Sequence, residues 1–118
     1  MLPPTAEAFV RDSLIQRDDI PDGGAAELEI VLEGQPESVV VVRQGAAVAG
    51  FLNVCPHAGR RLDYAPGRFL FDQGRLVCAA HGASFEALSG LCVGGPCRGQ
   101  SLQAVPVVVD ADGAVRPA

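Results

Sequence analysis

Only two histidines occur among the 118 residues, and each follows a cysteine within three positions, as Cys55-Pro56-His57 and Cys78-Ala79-Ala80-His81. Two His and four Cys scattered at random rarely fall that way. Each box offers one thiolate and one imidazole from a single tight loop. Gly59 and Gly82, just beyond the boxes, let the backbone turn close to a bound centre. The two loops together supply two sulfur and two nitrogen ligands. Such a set suits tetrahedral zinc or an iron–sulfur centre, and ligand softness does not separate the two. The arrangement does. A structural zinc finger usually pairs Cys with Cys and His with His, whereas here every loop carries one of each. A [2Fe–2S] cluster in which His replaces Cys on one iron asks for this mixture, because each loop gives its Cys to one iron and its His to the other. Cys55, His57, Cys78 and His81 are the candidate metal and cofactor ligands, and no catalytic residue is read beside them. A zinc-stabilised interaction module is the alternative of a different class.

Short strands must position these loops. Hydrophobic residues make up 48% of the chain and aromatics only 5%, with 14 Gly and 9 Pro, which excludes disorder and collagen and points to β-branched strands joined by turns. The length fits one domain with one core. Residues 1–10 are read as an extension, in which Thr5–Val10 has too thin an apolar face to be assigned as helix. Asp18–Gly24 is a loop by its Pro, Asp and Gly content. Strands are expected at Leu28–Leu32, Ser38–Arg43, Ala46–Val54, Arg75–Cys78, Ala83–Glu86, Leu102–Val109 and Ala114–Val115, with Gln44-Gly45 as a hairpin turn. Seven or eight short strands at this spacing predict an antiparallel sandwich or barrel. Cys55–Pro66 reads poorly as sheet.

The formal charge is −5 and the sequence pI near 4.8, so there is no basic stripe for nucleic acid. The apolar runs Val39–Val42 and Ala46–Leu52 are far short of the roughly 18 residues that span a bilayer. No basic or apolar signal region opens the sequence at Met1–Thr5, and a cytoplasmic protein without membrane attachment is expected. Four cysteines in that reducing compartment read as ligands or buried thiols. The carboxylates Asp18, Asp19, Asp22, Glu27, Glu29, Glu33 and Glu37 make the first third acidic, a solvated face by default.

At Cys55-Pro56-His57-Ala58-Gly59 and Cys78-Ala79-Ala80-His81-Gly82 the sequence resembles the Rieske family. So do Ile20-Pro21-Asp22-Gly23, Phe51-Leu52-Asn53-Val54 and Val105-Pro106-Val107, and the likeness extends over about residues 12–116. It implies an all-β, antiparallel sandwich or barrel over residues 11–118, with an inserted cluster-binding subdomain at about 55–100. Cys55 and Cys78 would hold the inner iron of a [2Fe–2S] cluster, and His57 and His81 the outer iron. Twenty residues (58–77) separate His57 from Cys78, slightly more than is usual, so a longer turn is expected between Pro66-Gly67 and Gln73-Gly74. Gly94-Gly95-Pro96 resembles the proline loop that covers the cluster.

Departures from the family pattern are informative. High-potential members join the two loops by a disulfide whose positions are Arg60 and Ala80 here, so no such bridge forms. Cys92 and Cys97 lie outside the ligand positions and either pair across the intervening turn or stay as packed thiols, the favoured reading in a reducing cytosol. Ala83 and Phe85 occupy the positions of a Ser and a Tyr that donate hydrogen bonds to cluster sulfurs in high-potential members. A potential near the low end of the Rieske range, about −150 mV, is therefore expected. Arg60 and Arg61 read as solvated side chains rather than charges set beside the cluster. Oxygenase members add a mononuclear iron site with two further histidines, which this sequence does not contain. The resemblance implies a ferredoxin-like one-electron carrier between a flavin-dependent reductase and a terminal oxygenase. A small or regulatory oxidoreductase subunit, like that of nitrite reductases, is the alternative within the same chemistry.

Overall fold

The computed structural model describes residues 15–56, 59–80 and 82–118. The extension at residues 1–10, with Thr5–Val10, lies outside them. Ten strands and one 3-10 turn at Arg17–Asp19 make up the regular structure, with no α-helix among the described residues.

Strands β2 (Ala25–Leu32), β3 (Gln35–Gln44) and β4 (Ala47–Leu52) form an antiparallel meander. Pairing of β2 with β3 runs from Ala25↔Val42 to Leu32↔Gln35, which leaves Glu33-Gly34 as a two-residue turn with φ of 52° and 81°. Positive φ at both positions is what a tight hairpin requires. Both strands are therefore longer than their sequences suggest. Pro36 sits inside β3 at a point that β4 does not reach, so its missing N–H leaves no gap in the ladder. At the other end Gln44 pairs with Ala47, so the turn is Gly45-Ala46, one residue later than expected.

Val39, Val40, Val41 and Val42 are all fully buried. Successive side chains of a strand point to opposite faces, so this run serves two cores at once. Val39 and Val41 pack with Ile20, Leu28, Ile30, Val105 and Val115. Val40 and Val42 pack with Phe51, Leu62, Leu76, Ala83, Phe85 and Leu102, and with all four cysteines. The first core lies toward the sheet of β1 (Ile15–Gln16), β10 (Ala114–Pro117) and β9 (Val107–Val109). The second lies toward the sheet of β5 (Leu70–Asp72), β6 (Arg75–Val77), β7 (Ser84–Glu86) and β8 (Cys92–Gly94).

Only Val107–Val109 of the strand expected at Leu102–Val109 is regular. Pro106 cannot donate to a ladder, and the residues before it run along β4 instead. There the Leu52 amide donates to the Gln103 carbonyl at 2.9 Å and the Val105 amide to the Gly50 carbonyl at 2.8 Å. A Cβ on Gly50 would stand 2.6 Å from the Val105 carbonyl oxygen, so only glycine permits this approach. The Ile20–Gly24 loop is tied to β3, since Arg43 Nη1 donates to the Ile20 carbonyl and the Gly45 amide to Asp22 Oδ1, both at 2.8 Å. Among the described residues no helix is long and apolar enough to cross a membrane.

Candidate metal centre

Cys55 lies three residues past the end of β4 and Cys78 directly follows β6, so each box opens where a strand stops. Both then close the same turn. The Cys55 amide donates to the Arg60 carbonyl at 2.7 Å, and the Gly59 amide returns to the Cys55 carbonyl at 2.9 Å. The Cys78 amide donates to the Ala83 carbonyl and the Gly82 amide to the Cys78 carbonyl, both at 2.8 Å. Although one box is Cys-x-His and the other Cys-x-x-His, glycine stands four residues after cysteine in each. Gly59 and Gly82 have φ of 68° and 74°, and a Cβ at either would touch nothing within 4 Å. Backbone conformation rather than crowding selects glycine at both. The loops are also linked, because the Ala79 amide donates to the Leu62 carbonyl at 3.2 Å.

Cys55 and Cys78 are both 0% exposed and belong to one core. His57 and His81 lie outside the described residues. The neighbours of the histidine positions, Gly59, Ala80 and Gly82, are exposed, so each turn runs from a buried sulfur to the surface. This donor chemistry fits a [2Fe–2S] group with an inner iron on sulfur and an outer iron on nitrogen. Among the described residues, which leave out both histidines, no group of three or more His, Cys, Asp or Glu gathers to hold a metal ion.

A polar network fastens the first turn to the meander. Asn53, 1% exposed, accepts the Leu62 amide on Oδ1 at 2.9 Å and donates from Nδ2 to Ser38 Oγ at 3.1 Å. Ser38 Oγ donates to Glu27 Oε2 at 2.6 Å. Arg61 Nη2 meets the same Glu27 oxygen at 2.9 Å and Asp63 Oδ2 at 2.8 Å, while its Nε donates to Asp63 Oδ1 at 3.0 Å. The Gly67 amide adds a bond to Asp63 at 3.1 Å. Burial raises the Asp63 pKa, but Arg61, the Gly67 amide and Asn53 together outweigh it and hold the carboxyl below its usual value. The Arg61 pKa is raised by its bonds to Asp63 and Glu27. Arg61 is thus an anchor rather than the freely solvated side chain expected from its position. Asn53 lies in a segment that carried the family likeness, but nothing in the sequence signalled that its amide joins β3 to the loop after Cys55.

Packing surrounds the second turn. Leu76, Ala83 and Phe85 are fully or almost fully buried beside Cys78, and neither Ala83 nor Phe85 has a side-chain donor. Gly95, with φ of 91°, lies so close that a Cβ on it would be 2.8 Å from Ala83 Cα. The Gly94-Gly95-Pro96 turn therefore lies against the end of the second box. Between β7 and β8 the register slips, with Ser84 opposite Gly94 and Phe85 opposite Cys92, a bulge that bends this edge. Residues 95–100 then fold back, the Gln100 amide bonding to the Cys97 carbonyl at 2.9 Å and the Gly99 amide to the Cys92 carbonyl at 3.1 Å. Cys92 and Cys97 meet as thiols, with Cys97 Sγ donating to Cys92 Sγ at 2.9 Å and Cys92 Sγ to the Gly94 carbonyl at 3.2 Å. Burial first, then the Cys92 and Cys55 sulfurs, push the Cys97 thiol up to about 12.

The family model of the Rieske [2Fe-2S] domain matches residues 13–109. No curated protein sequence matches the chain. Among solved structures, the ferredoxin of carbazole 1,9a-dioxygenase from Nocardioides aromaticivorans IC177 is 27% identical, with a TM-score of 0.66 over 90% of this chain and 94% of that one. A chain in the complex of reduced oxygenase and oxidized ferredoxin in carbazole 1,9a-dioxygenase is 22% identical, with a TM-score of 0.68 over 90% of each chain. The terminal oxygenase of carbazole 1,9a-dioxygenase from Novosphingobium sp. KA1 is 19% identical, with a TM-score of 0.66, and 87% of this chain covers only 28% of that one. The last two likenesses are likenesses of fold.

Proposed function

Because the chain belongs to the family of Rieske [2Fe–2S] domains, we propose that Cys55, His57, Cys78 and His81 hold its cluster and that the protein carries single electrons from a flavin-dependent reductase to a terminal oxygenase. The observation that carries this reading is the repeated turn: two identical backbone closures deliver two buried cysteines into one core and bring the residues beside both histidine positions to the surface. Bound there, a [2Fe–2S] group supplies reversible one-electron chemistry. The turns keep the two sulfurs away from water, and the exposed flanks leave the histidine side close to a docking partner. The likeness to the ferredoxin of a carbazole dioxygenase, which extends over nearly the whole of both chains, supports an oxygenase as the acceptor. The reading includes an extension at residues 1–10, a domain at 11–118 with its cluster-binding subdomain at about 55–100, and a cytoplasmic location.

Substitution of each proposed ligand tests the assignment. Cys55→Ala, His57→Ala, Cys78→Ala and His81→Ala should each abolish the visible spectrum and the iron and acid-labile sulfide content, while Cys92→Ala leaves them intact. Colourless wild-type protein with one zinc per chain would favour the interaction module instead. For the role, the holoprotein should pass electrons from a flavin-dependent reductase to a separate oxygenase and turn over no organic substrate alone. Stable copurification with a catalytic subunit would favour the accessory-subunit reading.

A further inference from the structure

All nine basic side chains of the protein are arginine, and they are unevenly placed. Residues 55–100 carry five of them against three carboxylates, while the rest of the chain carries four against eleven. Their partners differ as well. Outside that segment Arg17 pairs with Asp18, Arg116 pairs with Asp110, and Arg43 donates to the Ile20 and Gly45 carbonyls. Inside it Arg61 is paired, with Glu27 and Asp63. Arg60, Arg68, Arg75 and Arg98 are exposed, and among the described residues none of their side chains has a hydrogen bond or an ion pair. The carboxylates of the segment leave the end that carries the boxes free of negative charge. Asp72 and Glu86 stand opposite Arg75, at the end of the β5-β6-β7 ladder away from Cys78. Asp63, its side chain 2% exposed, is closed by Arg61.

A cleft of about 460 Å³ opens between the two turns, lined by Arg60, Arg61, Asp63, Tyr64, Ala79 and Ala80. Since Arg61 and Asp63 neutralise each other, Arg60 gives this cleft its charge. Tyr64, 54% exposed, adds an aromatic side chain to the wall, and the two alanines leave room. Arg98 belongs to the loop that lies against the second box, its amide bonded to the Gly95 carbonyl at 3.3 Å. We propose that this cleft docks a carboxylate-rich surface of the protein that exchanges electrons with the cluster, with Arg60 as the anchor, a proposal that rests on the ligand assignment made above. Arginine suits the task, because its planar guanidinium takes a carboxylate on two parallel N–H bonds. The whole molecule, at −5, repels an acidic partner. The unpaired arginines reverse that sign locally and steer the partner to the end that carries the boxes.

The test is stopped-flow oxidation of the reduced holoprotein by two small probes, the anion ferricyanide and the cation hexaamminecobalt(III), at rising ionic strength. If overall charge governed the encounter, ferricyanide would react faster as salt rises; the arginine cleft predicts that it reacts more slowly. Arg60→Gln should lower the ratio of the anion rate to the cation rate by roughly twofold to fivefold at low salt, a ratio that a change in potential moves little. Arg116→Gln removes the same charge from the sheet of β1, β10 and β9 and should leave the ratio at its wild-type value. A glutamate hexapeptide should slow ferricyanide oxidation of the wild type but not of Arg60→Gln. A ferricyanide rate that rises with salt, equal effects of Arg60→Gln and Arg116→Gln, or a peptide without effect on the wild type would each overturn the proposal while leaving the cluster in place. Protein that holds no iron and shows no visible spectrum would instead remove the ligand assignment, and the docking proposal with it.

Discussion

The turn that begins at Cys55 is fastened by polar side chains, while the turn that begins at Cys78 is fastened by packing. Around the first, Asn53, Ser38, Glu27, Arg61 and Asp63 form a continuous chain of hydrogen bonds from β2 and β3 to the loop. Around the second, Leu76, Ala83 and Phe85 fill space and offer no side-chain bonds. The main-chain closures are nevertheless the same. One backbone solution can therefore be held by two kinds of energy, and the choice follows from location. The second box lies inside a hairpin whose own ladder, Leu76↔Phe85 among its pairs, already fixes it. The first box leaves the meander without a partner strand, so its buried backbone groups need side chains to satisfy them.

The comparison is broken most severely on the packed side. Phe85→Ala should destabilise the protein by about 3–5 kcal/mol, the usual cost of emptying a buried aromatic site, measurable by chemical denaturation. Cluster loss at the second turn should accompany it. Next comes Asn53→Ala, which leaves the Leu62 amide without its acceptor and should cost about 1–3 kcal/mol. Its effect should concentrate on the first turn, seen as faster amide exchange there than around Cys78. Equal exchange in both turns would mean that the polar chain does not anchor one of them selectively.

The glycines sharpen the likeness between the turns rather than the difference. Gly59→Ala and Gly82→Ala should each cost roughly 1–2 kcal/mol through left-handed backbone alone, because neither new Cβ meets an atom within 4 Å. Matching values support one shared turn; a cost confined to one of them would show that the closures are not equivalent. The smallest effect belongs to Asp63. Its carboxyl is held below the usual value, so the folded protein binds fewer protons than the unfolded chain and the resulting stabilisation is present above about pH 4. It is lost as pH falls through the lowered native value. Asp63→Asn should be slightly less stable than wild type at pH 7, by less than about 1 kcal/mol, and the gap should close in acid.

The two turns that carry the proposed ligands could be read in the sequence because their signal is local. Cysteine and glycine four residues apart describe a turn, and the structure forms that turn twice. The anchors were harder to see. Asn53 and Ser38 are fifteen residues apart, and their bond exists only once β3 and β4 lie side by side. Strand pairing likewise decided what propensity could not. β1, β5 and β8 have two or three residues each and exist because neighbours pair with them. Leu102–Val105 is rich enough in apolar residues to read as strand, yet Pro106 and the close approach at Gly50 make it a border of β4. The hairpin at Glu33-Gly34 was hidden because a non-glycine residue takes positive φ there. Cys92 and Cys97 were left open between a bridge and packed thiols, and the fold brings them together as hydrogen-bonded thiols.

A coulometric reductive titration of the purified holoprotein tests the electron-carrier account most directly. The account predicts uptake of one electron per chain at a potential near the low end of the Rieske range, about −150 mV, with bleaching of the visible spectrum in the same step. A chain that takes up no electron and carries a single zinc ion in place of iron would contradict it.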